Sequence, residues 1–281
     1  MRRGLTATRA GICALLLSAA ASAVLTTAPA TAPAAPGAQA AIVGGGGADA
    51  AGWSFAVALK QRKAGFICTG SLIAPAKVLT AAHCVRGVKR RRLGVLVDSP
   101  WIAGKRAGAR LRVKRIKIDP HYRPRRDIRD LAVLTLAGAA TSTPVALPSA
   151  RESAAATRAG RAVHSAGWGA RSVWGFRLAD RLKSARERVL ANRHCQRSYG
   201  KRGFDSASMI CALGARIRRI RSPYPFRATT CSGDSGGPLV ARTPSGPLLV
   251  GVTSSGPIPC GYGPSIYARV SDARAFIDRQ L

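Results

Sequence analysis

Acidic side chains are scarce in this sequence, with 12 Asp and Glu set against 45 Lys and Arg for a formal charge of +33. So large an imbalance points to anionic partners, although an arginine-rich surface also serves plain solubility. Aromatic residues make up only 5% of the chain, too few to build a platform on which single-stranded bases stack. No segment supplies the roughly 20 unbroken apolar residues of a spanning helix. The longest candidate, Ile12 to Leu25, is interrupted by Ser18 and Ser22. Cys-x-x-Cys pairs are absent as well. The adjacent pairs His83-Cys84 and His194-Cys195 point their side chains apart, so no metal site is expected. Internal repeats are missing, and low-complexity sequence is confined to the residues before Ile42.

What is present begins with a distinctive leader. Arg2, Arg3 and Arg9 precede the short apolar run, and Ala/Pro/Thr-rich sequence follows to Ala41. Residues 1–41 therefore read as a secretory signal peptide with a possible short propeptide, cleaved after Ala23 or after Ala40, and the chain is expected to be secreted and extracellular. Removing the leader takes three arginines and no acid with it, which leaves +30 on residues 42–281. Cys13 leaves too. Six cysteines remain, Cys68, Cys84, Cys195, Cys211, Cys231 and Cys260, an even count that suggests disulfides in an exported chain, with 15 possible pairings.

The body of the chain reads as all-β. Hydrophobic residues at 47% can fill a sizeable core, and 30 Gly with 17 Pro favour turns. Short apolar segments recur between turn residues, among them Phe55 to Leu59, Val78 to Ala82, Leu93 to Val97, Leu131 to Leu136 and Leu248 to Thr253. From Leu111 the pattern alternates, then slips phase at Arg115, which predicts a strand with one basic face and a bulge. Helices are expected at Leu182 to Asn192 and at Ser271 to Leu281, where Ser271 is placed to cap while Phe276 and Ile277 dock.

Three segments carry chemistry. In Cys231-Ser232-Gly233-Asp234-Ser235-Gly236-Gly237-Pro238 a serine flanked by glycines can sit on a tight turn whose backbone N–H groups face an incoming carbonyl. The same spacing occurs at the nucleophile elbow of α/β-hydrolases, but that fold needs a histidine after the serine, and all four histidines here precede Ser235. In Leu79-Thr80-Ala81-Ala82-His83-Cys84 small alanines would let the His83 imidazole face a cleft. His121, His164 and His194 lack such context and read as loop or strand residues. Asp130 heads the apolar run Leu131 to Leu136, where a carboxylate needs a hydrogen-bond donor such as an imidazole. Asp127 is its rival, but it lies among Arg125, Arg126 and Arg129, where a solvated ion pair is enough.

From Ile42 onward these motifs, in the order His, Asp, Ser, resemble the trypsin/chymotrypsin family. Cys68-Thr69-Gly70-Ser71-Leu72-Ile73, Ile42-Val43-Gly44-Gly45, Gly167-Trp168-Gly169 and Ser254-Ser255-Gly256 add to the likeness. The resemblance implies two packed antiparallel β-barrels, about 42–155 and about 156–281, with a short C-terminal helix. It implies a serine endopeptidase with His83, Asp130 and Ser235 as its triad, and an oxyanion hole from the N–H groups of Gly233 and Ser235. Ser254 would assist Asp130. It further implies disulfides Cys68–Cys84, Cys195–Cys211 and Cys231–Cys260, and activation when a free α-amino group at Ile42 reaches Asp234. Ala41 precedes Ile42 where zymogens of the family carry a basic residue, so signal peptidase, with trimming of Ala41, is expected to release the active enzyme.

Thr229 stands where trypsin-like members place an aspartate at the base of the substrate pocket, beside Ser254, Gly256 and Ser265. With no acid there, small to medium uncharged residues are expected before the scissile bond. No carboxylates cluster between Arg86 and Ile118, so neither calcium nor a cofactor is expected. Protein or peptide substrates and a monomeric state complete the reading. The alternative is a basic protease homologue that mainly binds anionic polymers; the dense arginines from Arg86 to Arg129 form the expected basic face, and Arg216 to Arg227 adds a basic segment near the pocket rim.

Overall fold

A computed structural model describes residues 42–174, 177–218, 220 and 222–281. The leader, Cys13 and both cleavage positions lie outside the described residues. A short strand β1 (Gly46–Gly47) precedes a first closed barrel made of β2 (Ala56–Gln61), β3 (Gly65–Ala74), β4 (Lys77–Thr80), β5 (Leu93–Val97), β6 (Ala109–Ile118) and β7 (Ala132–Leu136), ordered β2-β3-β4-β7-β6-β5. A second six-stranded ring follows: β8 (Ala162–Gly167), β9 (Lys183–Val189), β10 (Met209–Gly214), β11 (Pro238–Thr243), β12 (Gly246–Ser255) and β13 (Ser265–Arg269). Its order is β9-β10-β13-β12-β11-β8, closed by a further β8–β9 pairing, and β1 attaches to β9. Every ladder within the rings is antiparallel, the architecture expected from the sequence.

Local physics accounts for these elements. In β6 the register shifts between Val113 and Arg115, the bulge that the phase slip foretold, and its arginines and lysines stay at the surface. In contrast, β7 is almost wholly buried because it lies between β4 and β6 and carries only small and aliphatic side chains. One buried cluster joins Val57, Leu79 and Leu134 of the first barrel to Val240, Leu249 and Val252 of the second. Trp168 Nε1 and Leu182 N both donate to Pro100 O, at 2.9 and 2.7 Å, across the same seam.

Two helical expectations need correction. The segment from Leu182 is a strand, β9, whose Ala185, Glu187 and Val189 point inward while Arg186 and Arg188 face solvent. A charged residue at an inward position disguised the period of two. The helix begins where that expectation ended: α1 (Ala82–Val85) and α2 (Ala150–Ala156) are followed by α3 (Asn192–Gly203). Almost uniformly polar, α3 gave no apolar stripe, and Cys195 is its only buried residue. Sequence reasoning also missed α2, although Ser149 and Glu152 form a capping box. At the C-terminus the helix α4 (Arg274–Asp278) does dock Phe276 and Ile277 into the shared core. Ser271 does not cap it; its hydroxyl donates to Ser153 Oγ instead.

Candidate active site

His83 sits on α1, a single turn directly after β4, and the Cys68–Cys84 disulfide pins that turn to β3. Its position is fixed from the other side by Asp130, which immediately precedes the buried start of β7 and is fully enclosed. Asp130 Oδ1 accepts from His83 N at 2.9 Å and Oδ2 lies 2.7 Å from His83 Nδ1. Ser254, near the end of β12 in the second barrel, donates to the same Oδ2 at 2.6 Å. The carboxylate thus takes three donors in two directions, so the imidazole cannot rotate without breaking a buried charged hydrogen bond. The His83 side chain remains 32% exposed. Burial lowers its pKa, but the hydrogen bond and charge of Asp130, with help from Asp127, outweigh this and raise the pKa above the ordinary value.

The serine loop is clamped to both barrels. Thr69 N donates to Ser235 O at 2.9 Å and Thr69 Oγ1 donates to Gly233 O at 3.2 Å, while Gly236 N donates to Thr253 O at 2.7 Å. Gly236 has φ +79°, and a Cβ there would lie 2.1 Å from Thr80 Oγ1 and 3.1 Å from Ala81 N. Only glycine lets the loop press against the strand end that leads into His83. Gly233 is likewise left-handed, with φ +94°. The Cys231–Cys260 disulfide holds the loop to the segment after β12, and Cys195–Cys211 ties α3 to β10.

Beside Ser235 lies a cavity of about 180 Å³ lined by Thr230, Ser232, Ser254, Gly256 and Cys260 among others. Behind it is a knot of hydroxyls: Thr229 Oγ1 lies 2.6 Å from Ser265 Oγ, and Thr230 Oγ1 donates to Ser265 Oγ at 2.8 Å. Thr229 and Ser265 are buried, and it is Thr230, their unforeseen neighbour, that reaches the cavity wall. Glu187 lies deeper still, its oxygens accepting from Ser165 Oγ at 2.5 Å and from Tyr267 Oη at 2.7 and 2.9 Å.

Asp234 is fully buried. Its Oδ1 accepts from Gly169 N at 2.7 Å and Oδ2 from Cys231 N at 2.8 Å. Those bonds lower its pKa less than burial raises it, and the carboxyl is pushed up to about 7. No cation pairs with it among the described residues. Ile42, also fully buried, packs with Ala185 and Ala228.

Asp127 departs from the solvated ion pair expected of it. Half-buried, with φ +51°, it faces Asp130, His83 and the Ser255 hydroxyl rather than its arginine neighbours, and burial with the nearby Asp130 charge raises its pKa. His121 stays on a surface loop and His164 on β8, whereas His194 belongs to α3, not to a loop or strand. Cys68, His83 and Cys84 cluster closely, but both sulfurs are spent in the disulfide and offer no thiolate to a metal.

A family model described as Trypsin matches residues 42–277. Curated relatives include a trypsin of Saccharopolyspora erythraea, 33% identical over 230 residues that cover 82% of this chain and 93% of the relative. Trypsin beta of Drosophila erecta is 30% identical, covering 84% of this chain and 87% of its own. Serine protease 56 of Homo sapiens is 34% identical over 87% of this chain, which spans 39% of that longer protein.

Proposed function

The chain belongs to the trypsin family of serine-type endopeptidases, and from that premise we propose that Ser235, His83 and Asp130 cut peptide bonds through an acyl-enzyme. In this reading Ser235 Oγ attacks the scissile carbonyl carbon as His83 Nε2 takes the hydroxyl proton. The carbonyl oxygen becomes an oxyanion held by the N–H groups of Gly233 and Ser235. His83 then gives its proton to the departing amine, and water, activated by the same imidazole, releases the acid product. Asp130 keeps the proton of His83 on Nδ1, so that Nε2 is free to act as base, and stabilises the imidazolium. The observation that carries the proposal is the double grip of Asp130 on His83, at 2.7 and 2.9 Å, in a fully enclosed carboxylate. A fluorophosphonate probe should label the mature protein and spare a Ser235→Ala variant. Equal labelling of both would overturn the assignment of the nucleophile.

The pocket supports a finer reading, cleavage after small to medium uncharged residues. Its rear hydroxyls satisfy one another, and the oxygens of Glu187 are occupied one layer further back, so no carboxylate lines the cavity. An arginine side chain there would lose its water without gaining an ion pair, at a cost of several kcal/mol. Profiling with a peptide library tests this, and a dominant Arg or Lys preference would refute it. Residues 1–41 further support export, followed by release of Ile42 as a new N-terminus. Its ammonium would give Asp234 the counter-charge that no other described residue supplies. N-terminal sequencing of the secreted protein checks this; an inactive form starting at Val24 would instead reveal a separate propeptide step.

A further inference from the structure

A second concavity near the catalytic segments is larger than the one beside Ser235. A hollow of about 870 Å³ opens between Arg86, His121 and the loop that carries Arg123, Arg125, Arg126 and Arg129. We propose that this hollow is a binding site for a flexible linear polyanion bearing closely spaced tetrahedral oxyanions, phosphate or sulfate.

The loop is built, not merely basic. Arg123 and Ile128 form an isolated bridge, Arg126 N donates to Arg123 O at 3.0 Å, and Arg126 Nε donates to Arg202 O at 3.0 Å, which ties the loop to α3. Asp127 and Arg129 both take left-handed backbone angles, φ +51° and +57°, uncommon for residues with a side chain. The consequence is electrostatic. The left-handed turn sends Asp127 inward toward Asp130 and His83, so the one acid of the loop does not neutralise its outer face. Arg129 is matched by Asp119 and Asp272, each at 2.9 Å. Arg86, Arg123, Arg125 and Arg126 have no carboxylate within ion-pair distance among the described residues.

Four guanidiniums without an ion-pair partner among the described residues, Arg126 feeling only the more distant Asp205, repel each other around one hollow, and a ligand that spreads negative charge along its length relieves that repulsion. A guanidinium fork pairs bidentately with carboxylate or phosphate alike, but a phosphate or sulfate carries more acceptor oxygens than the two of a carboxylate and can engage two of these arginines at once. The remaining lining, Pro124 and Ile128, presents no aromatic face. Without Phe, Tyr or Trp, a base finds only the His121 ring and guanidinium planes to stack on, so charge is the main feature read. Arg86 follows His83 by three residues and Arg129 precedes Asp130 by one, so the bound polymer lies against both segments that carry the dyad.

The site does not depend on the peptidase reading, and Ser235→Ala protein is used throughout. Binding of polyphosphate and of dextran sulfate is measured by calorimetry over a range of NaCl concentrations. Four neutralised charges predict that log K falls against log salt with a slope of about −3. Arg123→Glu with Arg125→Glu is expected to weaken binding at least tenfold and to make the slope shallower by about 1.5. As a control, Arg91→Glu with Arg92→Glu makes the same charge change at a separate basic hollow and is expected to stay within twofold. Equal losses in both variants, or a slope near zero, would reduce the effect to general positive charge or to none. Polyglutamate binding as tightly as polyphosphate would overturn the oxyanion assignment, and tighter binding of a thymidine oligonucleotide would show base recognition instead. The tighter of the two intended polymers identifies phosphate or sulfate as the natural group.

Discussion

Replacing Glu187 by glutamine isolates one ionisation at the centre of the second barrel. The side chain is 1% exposed, and among the described residues hydroxyls of Ser165 and Tyr267 are its hydrogen-bond donors. Burial pushes its pKa up from 4.5 to about 7, the hydroxyls opposing this and the charge of Asp234 adding to it. An acid whose folded pKa exceeds its unfolded one destabilises the fold when it ionises. Below about pH 4 both states hold the proton and nothing is lost. Between the two pKa values the unfolded chain has released its proton while the folded chain retains it, so stability falls as pH rises. Above pH 7 the loss is complete, roughly 3 kcal/mol at 1.36 kcal/mol per unit. Glutamine fills the same space, keeps one oxygen to accept from Ser165 Oγ and Tyr267 Oη, places an NH2 donor beside the hydroxyl oxygens in lieu of the second carboxylate oxygen, and cannot ionise. The variant should therefore be roughly 3 kcal/mol more stable than its parent at pH 8.5 and indistinguishable near pH 4. Urea unfolding followed by tryptophan fluorescence, with disulfides oxidised and Ser235→Ala present to stop self-digestion, measures the difference at unchanged m. A gain of equal size at both pH values would mean a packing effect, and a loss at pH 8.5 would mean that the ionised carboxylate holds the barrel together.

Four further outcomes follow from the site. Asp130→Asn should lower kcat by about 10⁴, a magnitude carried over from the trypsin family as a whole; Ser254→Ala, which removes only the 2.6 Å bond to the same carboxylate, should lower kcat/KM about tenfold with KM unchanged. Because Asp127 helps raise the His83 pKa, the acid limb of kcat/KM should move to lower pH in Asp127→Asn; a pH profile with an unmoved limb would remove Asp127 from the electrostatics of the site. Gly169→Ala would set a Cβ 2.5 Å from the Asp234 carboxyl and displace the loop that presents Gly233, so peptide hydrolysis should fall by about 10² or more while the protein stays folded by circular dichroism.

The strands were legible because they depend on local pattern, whereas the two-barrel arrangement and the His83–Asp130 contact were expected from the resemblance to the trypsin/chymotrypsin family. Apolar runs between turn residues give strands, and an acid at the head of such a run needs a partner. Asp130 was preferred to Asp127 because the run after it matches the family pattern while Asp127 lies among arginines, yet the inward turn of Asp127 depends on a left-handed backbone angle that no side-chain pattern announces. The strand β9 was hidden by Glu187, since a carboxylate at an inward position is tolerated only through Ser165 and Tyr267, which are distant in sequence and opposite in space. Likewise α3 carries no apolar face and is anchored by a disulfide, so its helicity owes more to Cys195 than to periodicity. The hydroxyl knot of Thr229, Thr230 and Ser265 needs two segments brought together; the sequence pointed to Thr229 and Ser265 and missed Thr230, the member that lines the cavity.

The last helix has a bearing on when this molecule can become whole. Phe276 and Ile277 fill the same buried cluster as the earliest strands, and Lys77 Nζ donates to Gln280 O almost at the chain's end. While that helix is undocked, the first barrel keeps an uncovered greasy flank, so the half that bears His83 and Asp130 is completed only together with the half that bears Ser235.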